Sequence, residues 1–308
     1  HKSDWNIMEH NFSPTTYYST IGSHEPALNV SSGDTVVTAT IDAGGWHANG
    51  EFIGPRGNPQ TGPIYVEGAE PGDTLKVKFE KIWPNRPHGF CSRRIAPHVL
   101  EPGDPNMVDL SERLTFRLDF ENSTATVEGG PSSLSDLTVP IQPMLGCFGV
   151  APARGQAIST ATSGPYGGNM DYKGFAPGVT AYLPVFVEGA LFHLGDGHAW
   201  QADGEILGTG IEISMDVTLT LEVIKGKEIG WPRGENDDYI FTAGNARPLD
   251  QATQHASSEM LRWLQTDYGL DSEEANFLLG MHVEYDVGNI FDPAFTMVCK
   301  LPKSVLPK

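Results

Sequence analysis

Short stretches of alternating apolar and polar residues dominate the first half of the chain. Residues 35–41 are rich in β-branched side chains, and residues 74–79 alternate apolar with polar positions. Each stretch follows a turn-forming segment, at 31–34 and at 70–73. Alternation with a period of two after such turns is typical of strands with one buried face. The pattern therefore predicts an N-terminal region built from strands.

Further strand-like stretches follow, separated by breaks. Prolines at five positions between 84 and 106 favour a loop over that segment. Strand patterns return after this loop in two short segments. A glycine-punctuated segment follows at 143–152. An apolar run at 182–187 and a long strand-like segment at 210–224 come later. The short segments are residues 114–118 and 125–127.

Helical periodicity is confined to the end of the chain. Residues 250–268 carry apolar side chains at i+4 spacing, and Gly269 follows them. Asp271 and Glu274 stand in a capping-box relation at the start of a second helix. Final strands are expected at 283–287 and 295–301. Strands first and helices last predict a β-dominated α+β protein and not a doubly wound sheet.

Composition narrows the function classes. With 20 basic and 39 acidic residues the net charge is −19, so no basic surface is available for nucleic acid. No apolar run reaches the roughly 20 residues of a membrane span, and the start shows no secretory apolar segment. Three cysteines without a C-x-x-C pair indicate reduced thiols. We therefore expect a cytoplasmic protein that acts on a small molecule, with no nucleic-acid or membrane partner.

One stretch concentrates groups that bind metals or carry protons. Residues 195–205 hold Asp196, His198, Asp203 and Glu205, spaced by glycines. Asp196 and His198 are two positions apart, so on an extended segment they project to the same side. The alternative is a polar turn whose acids bond backbone N–H groups.

Two other segments place an acid beside glycines. One runs from Asp42 to His47, and the other, residues 167–171, ends at Asp171. Glycine permits the unusual backbone angles that a metal site assembled from several loops requires. No G-x-S-x-G elbow and no phosphate-binding G-x-x-x-x-G-K-[ST] loop is present. The three segments together indicate a metal site.

The sequence resembles the acetamidase/formamidase family over nearly its whole length. The matching segments are residues 62–73, 146–152, 167–171, 184–190, 195–199, 203–205, 260–264 and 301–303. The resemblance implies a metal-dependent hydrolase of small linear amides that forms a homodimer or larger homo-oligomer. It also implies a sandwich-like N-terminal β unit (1–140), a second β unit (141–248) and a small C-terminal α+β part (249–308).

Candidate site residues follow from the matching segments. Asp42, Asp171, Asp196 and His198 are the implied metal ligands, with zinc favoured because of the imidazole and calcium possible if the shell is richer in oxygen. Glu67 or Glu205 is the expected proton carrier. The alternative for Glu67 is a turn acid that bonds the backbone. If Glu67 carries the proton, Glu67→Gln abolishes turnover and leaves the metal content intact.

The sequence also departs from the family pattern. Tyr166 replaces a usual histidine, and Trp46 and His47 replace a usual glutamine. His47 is therefore a further candidate ligand, and Trp46, Tyr166 and Asn169 are candidate substrate-binding residues. Two alternatives to an active amidase stay open: a catalytically weakened relative that binds metal or an amide-like ligand, and a β-rich binding module with structural calcium.

Overall fold

A computed structural model describes residues 6–308 of the chain. Over these residues it has 22 strands and two α-helices. The first eleven strands in chain order are β1 (Glu9–Asn11), β2 (Tyr17–Tyr18), β3 (Thr20–Ile21), β4 (Leu28–Val30), β5 (Thr35–Thr40), β6 (Gln60–Val66), β7 (Thr74–Pro84), β8 (His88–Cys91), β9 (Leu114–Asp119), β10 (Thr124–Glu128) and β11 (Thr138–Pro140).

The second half of the chain completes the set. The other strands are β12 (Met144–Val150), β13 (Ile158–Ser159), β14 (Ser163–Gly164), β15 (Gly167–Asn169), β16 (Thr180–Pro184), β17 (Phe192–His198), β18 (Met215–Ile224), β19 (Arg233–Glu235), β20 (Tyr239–Ala246), β21 (Glu284–Asn289) and β22 (Phe295–Pro302). The helices are α1 (Leu249–Tyr268) and α2 (Ser272–His282). The prediction of a β-dominated α+β fold is confirmed.

Two large sheets organise the chain. A nine-stranded sheet has the order β1-β5-β18-β7-β16-β19-β20-β22-β21. A seven-stranded sheet runs β14-β15-β12-β17-β6-β2, with β4 paired to β6. Strands β8 to β11 form a separate four-stranded sheet, and β13 pairs with β3. The nine-stranded sheet draws strands from all three predicted segments, whose boundaries at 140 and 248 stay a prediction.

The main core lies between the two large sheets. Phe79 of β7 and Phe148 of β12 meet edge to face with ring centroids 5.2 Å apart. Phe175 packs on the same Phe148 ring at 4.8 Å. Strand β5 alternates buried and half-buried residues, as its sequence predicted. Strands β12 and β17 are instead buried along their whole length because both of their faces are covered.

The C-terminal helices follow the sequence prediction closely. Helix α1 buries Ala252, and it buries Ala256, Met260 and Leu264 in a second apolar cluster that also contains residues of β20 and β22. Gly269 ends the helix in the left-handed region at φ 65°. Asp271 and Glu274 form the expected capping box of α2. No helix within residues 6–308 combines the length and apolarity that crossing a membrane requires.

Three segments differ from the predicted pattern. Residues 84–106 are not loop throughout, because β8 pairs with β9 between Pro87 and the later prolines. The glycine-punctuated segment at 143–152 contains the central strand β12. The apolar run at 182–187 leaves the sheet after Pro184. Glycines and prolines thus mark strand ends and close strand contacts here as well as loops.

Candidate metal centre

Six ionisable side chains from distant parts of the chain converge next to the seven-stranded sheet. Each is no more than 6 % exposed to solvent. They are Asp171, Asp196, His198, Glu205, Glu212 and Asp292. Five carboxyls and one imidazole buried this deeply make an environment in which charges require a partner.

Strand β12 brings the first members together. It pairs with β17, which carries Asp196 and His198, and with β15, which precedes Asp171. The N–H of Asp171 donates to the carbonyl of Gly146 at 2.9 Å. A methyl group on Gly146 would lie 2.2 Å from Oδ1 of Asp171 and 2.5 Å from Oδ2 of Asp196. The absence of a side chain at position 146 therefore lets the two carboxylates approach each other.

His198 is held in one orientation by Gln201. The Gln201 amide nitrogen donates to the carbonyls of Asp171 (2.5 Å) and Gly288 (3.3 Å). Its Oε1 is therefore the acceptor that faces Nδ1 of His198 at 2.9 Å. With Nδ1 donating a proton, Nε2 is the nitrogen available to a ligand.

The free nitrogen faces two carboxylates. Nε2 of His198 lies 2.8 Å from Oε1 of Glu212 and 3.2 Å from Oδ1 of Asp196. Without a metal, a proton on Nε2 can be donated to these carboxylate oxygens, and a bound cation can replace that proton. An imidazole nitrogen between carboxylate oxygens is a donor set typical of divalent metal sites.

The pKa values show how the cluster balances its charge. Burial alone would lower the pKa of His198, but the charges of Glu212 and Asp196 raise that pKa well above its ordinary value. Burial alone would raise the pKa of Asp196, but His198 brings it below its ordinary value. Asp196 and His198 therefore form an ion pair.

The pKa values of the other acids are raised, which favours their protonated forms. Burial raises the pKa of Asp171 and of Glu205 well above the ordinary range, with further increases from the charge of Asp292 on Asp171 and of Asp171 on Glu205. Burial, followed by the charge of Glu205, does the same for Asp292. Burial raises the pKa of Glu212 to about 8, although His198 opposes the shift. A cation that binds to these carboxyl groups would displace their protons.

Several buried carboxylate oxygens of the cluster have no hydrogen-bond partner in the described part of the chain, as expected if a metal binds there. Within residues 6–308 no hydrogen-bond donor reaches either carboxylate oxygen of Asp171, Oε2 of Glu205 or Oε2 of Glu212. The ligand atoms of Asp196, His198 and Glu212 lie within 4.8 Å of one another, as do those of Asp171, His198 and Glu205. Buried carboxylate oxygens of this kind are normally bonded. The residues present fit a divalent cation.

Three of the acids have unusual backbone angles. Asp171, Asp196 and Glu205 have φ values of 48°, 57° and 46°. Left-handed backbone is uncommon for residues other than glycine and costs about 1–3 kcal/mol where the surroundings impose it. Its occurrence at three acids of one cluster supports a functional role for their placement.

The cluster borders a cavity of about 340 Å³. Asp196, Glu205, Glu212 and Asp292 line one part of its wall. Asn169, a predicted substrate-binding residue, also lines it, and the Asn169 amide nitrogen donates to Asp292 at 3.1 Å. The cavity is large enough for a small organic molecule beside the acids.

The structure brings some predicted residues together and separates others. Asp171, Asp196, His198 and Glu205 share the cluster. Asp42 does not join them, although its loop lines the cavity through Ala43 and Gly44. One Asp42 oxygen pairs with Arg86 and the other accepts backbone N–H bonds from Gly44 and Trp46. We therefore correct the prediction of Asp42 as a metal ligand.

Three further predicted site residues also lie away from the cluster or the cavity. His47 accepts a bond from the N–H of Asn49 and lies outside the cluster. Trp46 is 43 % exposed and packs on Phe52, and it does not line the cavity. Tyr166 is buried in the main core, with its hydroxyl directed to the carbonyl of Thr162.

Glu67 lies on an exposed turn after β6. Its carboxylate accepts a bond from the hydroxyl of Ser31 at 3.5 Å. It lines a different surface depression, together with Ser31, Ser32 and Gly68. The turn-acid alternative fits this position, and of the two candidate proton carriers Glu205 alone borders the cavity.

Sequence reasoning missed Glu212, Asp292 and Gln201. Glu212 stands between Ile211 and Ile213 in a strand-like stretch, where it looks like a solvent-facing position. A β-bridge to His198 turns it inwards. The signal that could have found it is the two-residue spacing of acids and polar groups after the 195–205 stretch.

Fold and site together define a β-rich protein with a buried, carboxylate-dominated centre that fits a divalent metal. The sequence model of the Acetamidase/Formamidase family matches residues 151–307. The chain therefore belongs to the acetamidase/formamidase family.

Individual relatives agree with that assignment. An acetamidase from Mycolicibacterium smegmatis is 30 % identical over 242 residues, 61 % of this chain and 58 % of that protein. The crystal structure of an acetamidase from Yersinia enterocolitica is 31 % identical, with a TM-score of 0.83 over 99 % of this chain and 95 % of that one. An acetamidase structure from Bacillus halodurans is 34 % identical, with a TM-score of 0.79 over 95 % and 97 % of the two chains. The chain spans a little over half the length of the curated relatives that it matches.

Proposed function

We propose that the chain is a metal-dependent amidase that hydrolyses a small amide to a carboxylate and ammonia. Family membership supports the reaction class. The observation that carries the proposal is His198, whose Nε2 faces Glu212 and Asp196 while Gln201 holds Nδ1. This is the arrangement of a metal ligand with its outer hydrogen-bond partner in place.

The proposed ligands are Asp171, Asp196, His198 and Glu212. A divalent metal in this position supplies a Lewis acid that polarises the amide carbonyl and lowers the pKa of water. Zinc is the metal to test first because His198 contributes nitrogen. Calcium is the alternative because the other donors are carboxylate oxygens.

Glu205 is the proposed proton carrier. It borders the cavity, and its Oε2 has no partner among residues 6–308. Burial raises its pKa well above the ordinary range, which favours the protonated form of the side chain. A proton at Oε2 can be delivered to the amide nitrogen as the carbon–nitrogen bond breaks.

Asn169 has a positioning role in this proposal. Its amide nitrogen donates to Asp292, and its Oδ1 accepts from the amide of Asn58 at 3.2 Å. All three residues line the cavity. The chain of bonds fixes the polar wall against which the substrate amide is oriented.

The departures from the family pattern do not remove a ligand of the cluster. Tyr166 is a core residue, and Trp46 and His47 lie outside the cavity wall. This placement favours an active amidase over a weakened relative that only binds metal or ligand. A homo-oligomer and a cytoplasmic location stay predictions, the latter consistent with three buried, unpaired cysteines.

The proposal is tested by metal analysis combined with ammonia release. Protein loaded with zinc or calcium is given formamide, acetamide and small lactams, before and after chelation. Turnover that is lost on chelation and restored by one metal supports the proposal. Bound metal without turnover supports the weakened relative, and calcium binding with no amide turnover supports a structural-calcium module.

A further inference from the structure

A single arginine stands in the wall of the acid-lined cavity. Among the described residues that line it, Arg113 is the one with a cationic side chain. Its guanidinium carbon lies 4.4 Å from the ring centroid of Phe90, another lining residue. Stacking on an aromatic face fixes the plane of a guanidinium and keeps its N–H groups available at the edge.

Arg113 differs from the arginines around it. Arg93, Arg94 and Arg117 each lie within 4.0 Å of an acid. Arg113 forms no ion pair with a carboxylate in the described part of the chain, residues 6–308. A positive charge that borders a cavity and has no internal counterion is available to an anionic ligand.

Strand pairing connects Phe90, the ring under this arginine, to the acid cluster. Phe90 and Glu212 form an antiparallel bridge with N···O distances of 3.2 and 2.7 Å. Residues that exchange both backbone hydrogen bonds in this way have Cα atoms about 5.5 Å apart. Phe90 also pairs with Thr115 of β9, two positions after Arg113. Arg113 is exposed whereas Glu212 is buried, so the cavity has an acidic inner end and a cationic outer end.

On this geometry, and resting on the proposed amidase function, we propose that the substrate is a short-chain amide with a carboxylate at its far end. The amide lies at the metal centre, and the carboxylate is bound by Arg113. A monoamide of a short dicarboxylic acid has this form. Arginine recognises carboxylates through two parallel N–H···O bonds, which gives direction as well as charge. Arg113 is a specificity residue and does not touch the reacting atoms.

The reaction stays an ordinary hydrolysis. Water adds to the amide carbon, and the carbon–nitrogen bond breaks. The nitrogen receives a proton and leaves as ammonia, which becomes ammonium at neutral pH. The product is the dicarboxylate, so no oxidant, reductant or further reactant is required.

The test compares two probes of matched shape. Succinamate carries a carboxylate where succinamide carries a neutral amide. For metal-loaded protein we expect kcat/KM for succinamate to exceed that for succinamide by about 10–100-fold, mainly through KM. In Arg113→Met, which keeps an apolar chain over Phe90, the ratio falls to about one or below. Arg113→Lys retains part of this preference, because lysine keeps the positive charge but lacks the paired N–H groups of the guanidinium.

Arg94→Met is the matched control. Arg94 is exposed, pairs with Asp109 at 3.3 Å and does not line the cavity. This variant keeps the wild-type ratio. The inference is overturned if the wild-type ratio of kcat/KM for succinamate to that for succinamide is near one, or if Arg113→Met leaves this ratio unchanged. In either case, release of ammonia from the amides still supports the proposed function.

Failure of the proposed function gives a different result. If the metal-loaded protein releases ammonia from no amide, calorimetric binding of the two probes decides the inference. Tighter binding of succinamate that is lost in Arg113→Met supports the anion site. Equal binding of both probes, or binding of neither, overturns it.

Discussion

His198 and Glu212 are joined twice, by a β-bridge between their backbones and by a contact of 2.8 Å between Nε2 and Oε1. They are 14 positions apart in the sequence. The bridge fixes their register, so the two side chains project to the same side of the pair. Glu212 is therefore a built-in member of the centre, although the sequence motifs do not contain it.

Replacing Glu212 tests its role as a ligand. Glu212→Gln keeps the shape of the side chain but removes its charge, so we expect metal affinity to fall about 10–100-fold or more, as for other close partners of a metal site. Amide turnover falls with it. Metal content by mass spectrometry and affinity by calorimetry measure the change.

Glu222→Gln is the matched control for that variant. Glu222 lies on β18 and pairs with Lys76 at 3.3 Å, with half of its side chain exposed. Its replacement leaves the metal content at the wild-type level. Equal metal content in both variants contradicts a ligand role for Glu212.

Gly146→Ala tests the close approach of two carboxylates. The added methyl group would lie 2.2 Å from Oδ1 of Asp171 and 2.5 Å from Oδ2 of Asp196. The acids must move apart, so we expect loss of metal binding and of turnover. Gly280→Ala in α2 is the control, because nothing lies within 4 Å of its added methyl group. That helix substitution is expected to add about 0.5–1 kcal/mol of stability. Full metal occupancy in Gly146→Ala would show that the site does not depend on this contact.

The two candidate proton carriers give opposite expectations. Glu205→Gln removes the proton at Oε2 beside the cavity, so kcat should fall roughly 10²–10⁴-fold. Glu67→Gln alters an exposed turn acid, so kcat should change less than about twofold, in line with surface substitutions. Steady-state ammonia release measures both. A large loss in Glu67→Gln with a small one in Glu205→Gln reverses the assignment.

Stability against pH tests the charge state of the metal-free centre. Glu212 has a pKa of about 8 in the folded protein because burial disfavours its charged form. In the unfolded chain it ionises near pH 4.5. Between these values the folded state binds more protons than the unfolded state, so stability falls as pH rises. Above pH 8 this contribution no longer changes.

Thermal melts of the metal-free and metal-loaded protein from pH 5 to pH 9 follow the effect. We expect the melting temperature of the metal-free form to fall over this range. Bound metal replaces the protons, so its stabilising effect should grow as the pH rises. A melting temperature of the metal-free form that rises towards pH 8 contradicts this charge assignment.

Local patterns predicted the parts of the fold that local physics determines. The period-two alternation gave β5, and the capping box of Asp271 and Glu274 gave the start of α2. The sequence did not clearly predict strands β12 and β17. Both of their faces are buried, so apolar and polar residues do not alternate along them.

Spacing alone predicted the site only where its members are neighbours in the sequence, whereas Asp171 was predicted from its glycine-flanked segment and the family resemblance. Asp196 and His198 share one strand, and their spacing places them on one side. Asp42 shows the limit of the same reasoning. Its glycine-flanked loop resembles a ligand segment, but the Asp42 carboxylate forms an ion pair with Arg86, which is 44 positions away in the sequence. Ligand and structural acids differ in their non-local partners, which a single sequence does not display.

The most direct test of the account is a crystal structure of the zinc-loaded protein with anomalous data collected on both sides of the zinc edge. We predict one peak or a close pair within about 2.0–2.2 Å of Nε2 of His198 and of oxygens of Asp171, Asp196 or Glu212. A peak bound elsewhere, or a centre that keeps its His198–Glu212 contact with no metal at saturating zinc and at saturating calcium, would contradict it.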